Sequence, residues 1–184
     1  MQPAKNFDRA AAAATAIIGK IDSDRFGAPT PCDKWTVRDV VNHLTHGNLM
    51  AAAALRGDRP PERGVDYLGD DPPGAFDLSI AGVKAAMSAP GALDKVVTTP
   101  LGDHPGSFLV HMRVNELIVH SWDLAKATGQ STDIDAELAE AALAQWQERI
   151  DRVPRGHMFG PEQPVLPGAT AADRLAAFLG RAQS

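Results

Sequence analysis

A single cysteine, Cys32, stands among 184 residues. That count excludes an internal disulfide framework and a multi-cysteine zinc site. Aromatic residues are scarce at 5%, so the interior must be built mainly from aliphatic side chains and alanine. The 18 basic residues are scattered and outnumbered by 23 acidic ones, which leaves a net charge of −5 and no cationic stripe to neutralise phosphates. Nucleic acid is not an expected partner. No apolar run approaches the roughly 20 residues that a membrane span needs. The alanine-rich N-terminus, MQPAKNFDRAAAAATAIIGKID, is short, amphipathic and interrupted by Asp8 and Arg9, which does not fit a targeting segment. The chain reads as cytoplasmic, with no membrane partner.

What is present is ordinary for a globular protein: 44% hydrophobic and 22% charged residues exclude disorder and fibrous classes. The length suits one domain over residues 1–184 with a sizeable core. Phe7, Ala10, Ala14, Ile17, Ile18 and Ile21 recur at helical intervals, predicting a first helix over 6–22. Thr36 and Asp39 form a capping-box pattern ahead of Val37, Val40, Val41, Leu44 and Met50, predicting a second helix from 36 to about 55. A long Gly/Pro linker follows. A third helix starts near Asp71 and Pro72, presents Phe76, Ile80, Val83 and Met87, and stops at SAPG. Residues 92–106 carry a β-branched run and turn residues, enough for a short extended excursion but too little for a sheet. A fourth helix runs from Ser107, as N-cap, to Gly129, with Lys126 in its last turn. Further helices are predicted over about 133–151 and 171–180. The class is all-α: a four-helix bundle core over about 6–128 with one long crossover, followed by additional C-terminal helices over about 133–180.

The fourth helix poses the functional question, because NELIVHSWDLAKATGQ sets Glu116, His120 and Asp123 among Ile118, Val119, Trp122 and Leu124. Glu116 and His120 are four residues apart, roughly 40° round the helix, so they share a face and can grip one ion. The second helix offers His43 and His46. His43 adjoins the apolar set of Val40 and Leu44, whereas His46 lies further round beside Gly47, so His43 is preferred as third ligand. Two imidazoles and a carboxylate with an open position suit catalytic Zn²⁺, and also accept Ni²⁺ or Fe²⁺. The competing reading is a solvated Glu116 paired with Arg113 and a core-edge His120 with a satisfied hydrogen bond. Spacing alone leaves both open.

PTPCDKWTVRDVVNHLTHGN together with NELIVHSWDLAKATGQ resembles the paired signature of the mycothiol-dependent maleylpyruvate isomerase-like metal-binding domains, a branch of the DinB-like four-helix bundle superfamily. FGPEQPVLPGATAADRLAAFLGR is similar to the closing segment of their short, single-domain actinobacterial members. The resemblance implies that His43, Glu116 and His120 hold a divalent metal. It also implies that the metal activates a low-molecular-weight thiol, mycothiol or a similar one, for attack on an electrophilic substrate. The isomerases resembled here carry a second, C-terminal domain that contributes catalytic residues, whereas this sequence closes at Ser184 after a short helix. The expected activity is accordingly an S-transferase or another isomerase-like thiol-linked step. The alternatives are a non-catalytic metal or small-molecule module, such as a sensor or carrier, and a bundle acting through a homodimer.

Other residues are weaker candidates. Asp123 either accepts a hydrogen bond from a ligand imidazole or pairs with Lys126. Asn42 and His46 either line the pocket mouth or are exposed polar positions. Trp35 and Trp122 read as packing residues, with the wall of the pocket as their second reading. Cys32 has no acid/base partner nearby in sequence and reads as a half-buried structural cysteine. His111 is roughly 140° from Glu116 and faces elsewhere. His104 and His157, in Gly/Pro loops, carry no assigned role, and Arg59 and Arg63 read as part of a solvated loop, with contact to an anionic thiol as their second reading.

Overall fold

A computed structural model of the chain describes residues 2–32, 34–99, 102–149, 155–156 and 159–182. Four helices form the bundle: α1 (Pro3–Ile18), α2 (Val37–Arg56), α3 (Pro72–Met87) and α4 (Gly106–Thr128). α2 packs on α3 and on α4, while α1 packs on α4 and on α3, so α1 and α2 sit across a diagonal. Two further helices, α5 (Ala136–Arg149) and α6 (Ala171–Phe178), pack on each other and on the outer side of α4. No helix among the described residues is long and apolar enough to cross a membrane.

Local chemistry sets the boundaries. Thr36 and Asp39 form the reciprocal capping box that starts α2, with Thr36 N–H donating to Asp39 Oδ2 at 2.8 Å. Asp71 caps α3 by accepting from Gly74 N–H at 3.1 Å. α1 begins earlier than predicted because Pro3 suits a first helical position, and it ends at Ile18, where Lys20 and Ile21 turn to i→i+3 bonds. α5 starts at Ala136 rather than 133, and residues 150 and 151 of that predicted helix lie outside the described residues, as does His157.

Residues 92–106 differ from expectation. Strands β1 (Val96–Thr99) and β2 (Gly102–Pro105) pair antiparallel, from Val96 opposite Pro105 to Thr99 opposite Gly102. β2 runs directly into α4, so Pro105 takes the N-cap position assigned to Ser107, and no side chain caps the helix. The ribbon is held instead by Gly106 N–H to Lys95 O and Ser107 N–H to Leu93 O, both 2.8 Å.

α4 is the centre of the molecule. Bundle helices cover one side and the C-terminal helices the other, so every residue from Leu117 to Ala125 is buried, including His120, Ser121 and Asp123. A polar group in that position must find a partner within the protein, because desolvating it unpaired costs several kcal/mol, about 2–7 on transfer scales.

Candidate functional site

His43 on α2 and Glu116 on α4 meet across the helix interface, His43 Nε2 lying 2.8 Å from Glu116 Oε2. His120, one turn beyond Glu116, brings Nε2 to 3.6 Å from the same oxygen. One ligand atom from each of the three residues lies within 4.8 Å of the others. Glu116, with 29% of its side chain exposed, is reachable from outside, whereas His120 is buried. Trp35, in the loop ahead of α2, lays its ring against both imidazoles, with centroids 4.7 Å from His43 and 5.8 Å from His120. It forms the wall of the site, whereas Trp122 is core, donating its indole N–H to Asp173 on α6 at 2.7 Å.

Asp123 takes the imidazole side of its two sequence readings. Its Oδ2 lies 2.9 Å from His120 Nδ1, and Arg181 donates to Oδ1 from Nε at 3.2 Å and to Oδ2 from Nη2 at 3.1 Å. The carboxylate is fully buried, so those contacts replace its hydration. They also orient the ring: a carboxylate can only accept, which assigns a proton to Nδ1 and turns Nε2 towards Glu116. Desolvation pushes the Asp123 carboxyl up, yet the His120 hydrogen bond and the Arg181 charge hold it below the ordinary value. Desolvation likewise disfavours the charged His120, but the hydrogen bond to Asp123 and the nearby Glu116 carboxylate raise its pKa overall. For Glu116, burial is overcome by the neighbouring His120 imidazole and the His43 contact, which leave the carboxylate well below its usual range.

Arg113 does not pair with Glu116 on a solvated face. It is buried, donating from Nε to Asn48 Oδ1 at 3.2 Å and from Nη2 to Leu44 O at 3.1 Å, and desolvation pushes its pKa down. Gly47 makes this possible, since a Cβ there would collide with the guanidinium, 2.6 Å from its Cζ. The Arg113 seat fixes α4 against α2 one turn before Glu116, and so helps set where that carboxylate meets His43.

The three groups open onto a cavity of about 700 Å³ between α4 and the C-terminal segment. Cys32, Trp35, Asn115, Trp146, Phe159 and Arg181 contribute to its walls. Arg181 reaches the site because Gly180, with φ 93°, passes so close to Gly160 that a side chain there would strike its backbone. Asn42 instead secures the linker, donating to Val65 O at 3.0 Å and accepting from Tyr67 N–H at 2.8 Å. His46 stacks on Tyr67, 5.7 Å between centroids, and together with Asn42 borders a separate 330 Å³ hollow on the other side of His43. His111 faces α5, as its angle predicts, and lies 2.6 Å from Gln145 Oε1.

Sequence reasoning missed Arg181, Asn115 and Trp146, and it found no partner for Cys32. The fold supplies one: Cys32 belongs to a second cluster with His120 and Asp123 whose ligand atoms lie within 4.8 Å. Of the two clusters, His43, Glu116 and His120 suit a cation better, because both Asp123 oxygens are already engaged by Arg181 and His120. No local pattern announces these contacts, which join residues 58 or more positions apart.

The fold and these groups define a class, helical bundles whose second and fourth helices turn a His and a Glu-x-x-x-His pair towards one cavity. Residues 7–125 match the family of the mycothiol maleylpyruvate isomerase N-terminal domain. An uncharacterized protein of Mycobacterium tuberculosis, present in two strains, is 36% identical over 184 residues, with 98% of each chain covered. Among solved structures, the mycothiol-dependent maleylpyruvate isomerase superposes with a TM-score of 0.62 at 18% identity, covering 80% of this chain and 71% of that one. A histidine-to-alanine mutant of that isomerase gives 0.64 at 16% identity with the same coverage. The chain belongs to the mycothiol maleylpyruvate isomerase N-terminal domain family, and its fold is the DinB-like helical bundle of those structures.

Proposed function

We propose that this protein is a divalent-metal-binding enzyme that uses a low-molecular-weight thiol, of the mycothiol type, in an S-transferase or isomerase-like reaction, with residues 1–184 acting as one metal-binding unit. The observation that carries the reading is the convergence of His43, Glu116 and His120, ligand atoms within 4.8 Å, on the wall of a 700 Å³ cavity. The donor set fits a cation: an ionised carboxylate lies between two imidazoles, and the Asp123 contact leaves His120 Nε2 as the ligand atom. Two nitrogens and one oxygen suit Zn²⁺ first, and Ni²⁺ or Fe²⁺ as well.

When bound, such an ion supplies a positive centre that favours the thiolate over the thiol. The chain's own residues do the rest. Asp123 and Arg181 keep His120 in one tautomer and one orientation. Trp35 packs its ring against the two imidazoles, and the cavity offers room for a thiol and an electrophilic acceptor side by side. In a transfer, the thiolate sulfur would bond to the electrophilic carbon as the bond to the leaving group breaks and that group departs with its electron pair. In an isomerase-like step, sulfur would add to a conjugated alkene as the C=C π bond breaks, and expulsion of the same thiolate after rotation would restore the double bond. A cytoplasmic location accords with this chemistry, since thiols are kept reduced there.

The test is elemental analysis of protein purified without a histidine tag, beside His43→Ala and Glu116→Gln. We expect about one equivalent of metal in the parent and little in either variant, as loss of one of three protein ligands predicts. No bound metal after supplementation with Zn²⁺ and Ni²⁺ would sink the proposal. Consumption of mycothiol with a panel of electrophiles, abolished in His43→Ala, separates an enzyme from a non-catalytic sensor or carrier.

A further inference from the structure

A second hollow, of about 330 Å³, opens on another side of α4, between the start of α1 and the end of α5. Pro3, Phe108 and Val114 give it apolar walls, and Asn6, His111 and Arg149 give it polar ones. Its size falls at the lower end of small-molecule sites, and a mainly apolar surface with a few convergent polar groups is their usual composition. Charge narrows the ligand. Arg149 is the one lining residue charged at every physiological pH, no carboxylate lines the hollow among the described residues, and Arg149 has no ion pair with any described residue. In a chain of net charge −5, such an open cationic end beside an aromatic wall is complementary to an anion with an apolar body.

We infer that this hollow binds a small carboxylic acid with a planar apolar body, its carboxylate on Arg149 and its body against Phe108 and Val114. The site is distinct from the His43 cavity but touches it through one atom. Gln145 Oε1 lies 2.6 Å from His111 Nε2, a lining residue of the hollow, and accepts from Asn115 Nδ2 at 2.6 Å, while Asn115 lines the main cavity. An occupant that draws on His111 therefore alters the hydrogen bonding of the residue next to Glu116.

The test is a protein NMR titration of the full chain with 1-naphthoate and with its uncharged counterpart 1-naphthamide. We expect saturable one-site binding of naphthoate, with shifts at Asn6, His111 and Gln145 and a smaller one at the Asn115 side-chain amide. Naphthamide should bind at least about tenfold more weakly, the factor that loss of a charge-assisted hydrogen bond corresponds to. Arg149→Gln should weaken naphthoate by a similar factor and leave naphthamide unchanged. Absence of saturable binding overturns the inference, as do equal affinities for the two ligands and indifference to Arg149→Gln. Shifts centred on Trp35 and His43 would place the ligand in the main cavity and overturn it equally. None of these outcomes depends on metal content or turnover, so the inference stands or falls apart from the proposed function.

Discussion

At the scale of single residues, the site is organised by one buried carboxylate. Asp123 stands between Arg181 and His120, and removing either partner strands its charge. Breaking a buried ion pair from one side costs about 3–5 kcal/mol, so Arg181→Met should lower the unfolding free energy by an amount in that range. The double variant Arg181→Met with Asp123→Leu should recover most of the stability, because the uncompensated charge is gone. It should not recover metal affinity: His120 Nδ1 then lacks its acceptor, and loss of such an orienting partner typically costs about 10–100-fold. Chemical denaturation paired with a chelator competition checks both halves, and a double variant with parental affinity would contradict the role given to Asp123. That Glu116 and His120 share a face was legible in the sequence, because helical geometry puts positions four apart on one side, while spacing left open whether that side holds an ion. His43 was legible too, since it borders the apolar stripe that must face the bundle. Arg181 and Cys32 were not, because what brings them to His120 is the packing of loops and a terminal segment that no periodicity encodes.

At the scale of elements, the four bundle helices follow from apolar spacing and caps, and the β1–β2 ribbon does not. Strands of four residues carry too little alternation to be read, and theirs is fixed by docking at the α4 N-terminus through Lys95 and Leu93. The opposite case is α6, only eight residues long, which is set by its start. Thr170 and Asp173 form a capping box, and Asp173 also accepts the Trp122 indole N–H. Desolvation pushes the Asp173 carboxyl up, but the Trp122 and Thr170 hydrogen bonds hold it below its ordinary value of 3.8. A depressed folded pKa means that the charged form stabilises the native state. That contribution is complete above the unfolded pKa and disappears as pH falls through the lower folded value. Acid unfolding followed by tryptophan fluorescence should therefore be shallower for Asp173→Asn than for the parent below about pH 3.9, and coincident curves would rule the linkage out.

At the scale of the whole molecule, metal and fold should be coupled. A ligand that binds only the native state adds about 2.7 kcal/mol at a hundredfold excess over its Kd, so on the proposed function Zn²⁺ should raise Tm and a chelator should reverse the rise. Acid works against the metal in the same way. Neighbouring carboxylates raise the His120 pKa, so the proton competes for Nε2 at higher pH than for an ordinary histidine, and apparent metal affinity should fall as pH drops from about 8 to 6. A competition titration across that range, read beside His43→Ala, checks the sign. The Arg181–Asp123 contact, finally, has a bearing on how the protein is made. Synthesis runs from the N-terminus, and every bundle helix has been translated before Arg181 joins the chain. Until it does, the nascent bundle holds a carboxylate meant for its interior without the cation that belongs beside it. We therefore expect the site to set last, after a bundle that has already collapsed, and a C-terminal fusion to disturb His120 more than one placed at the other end.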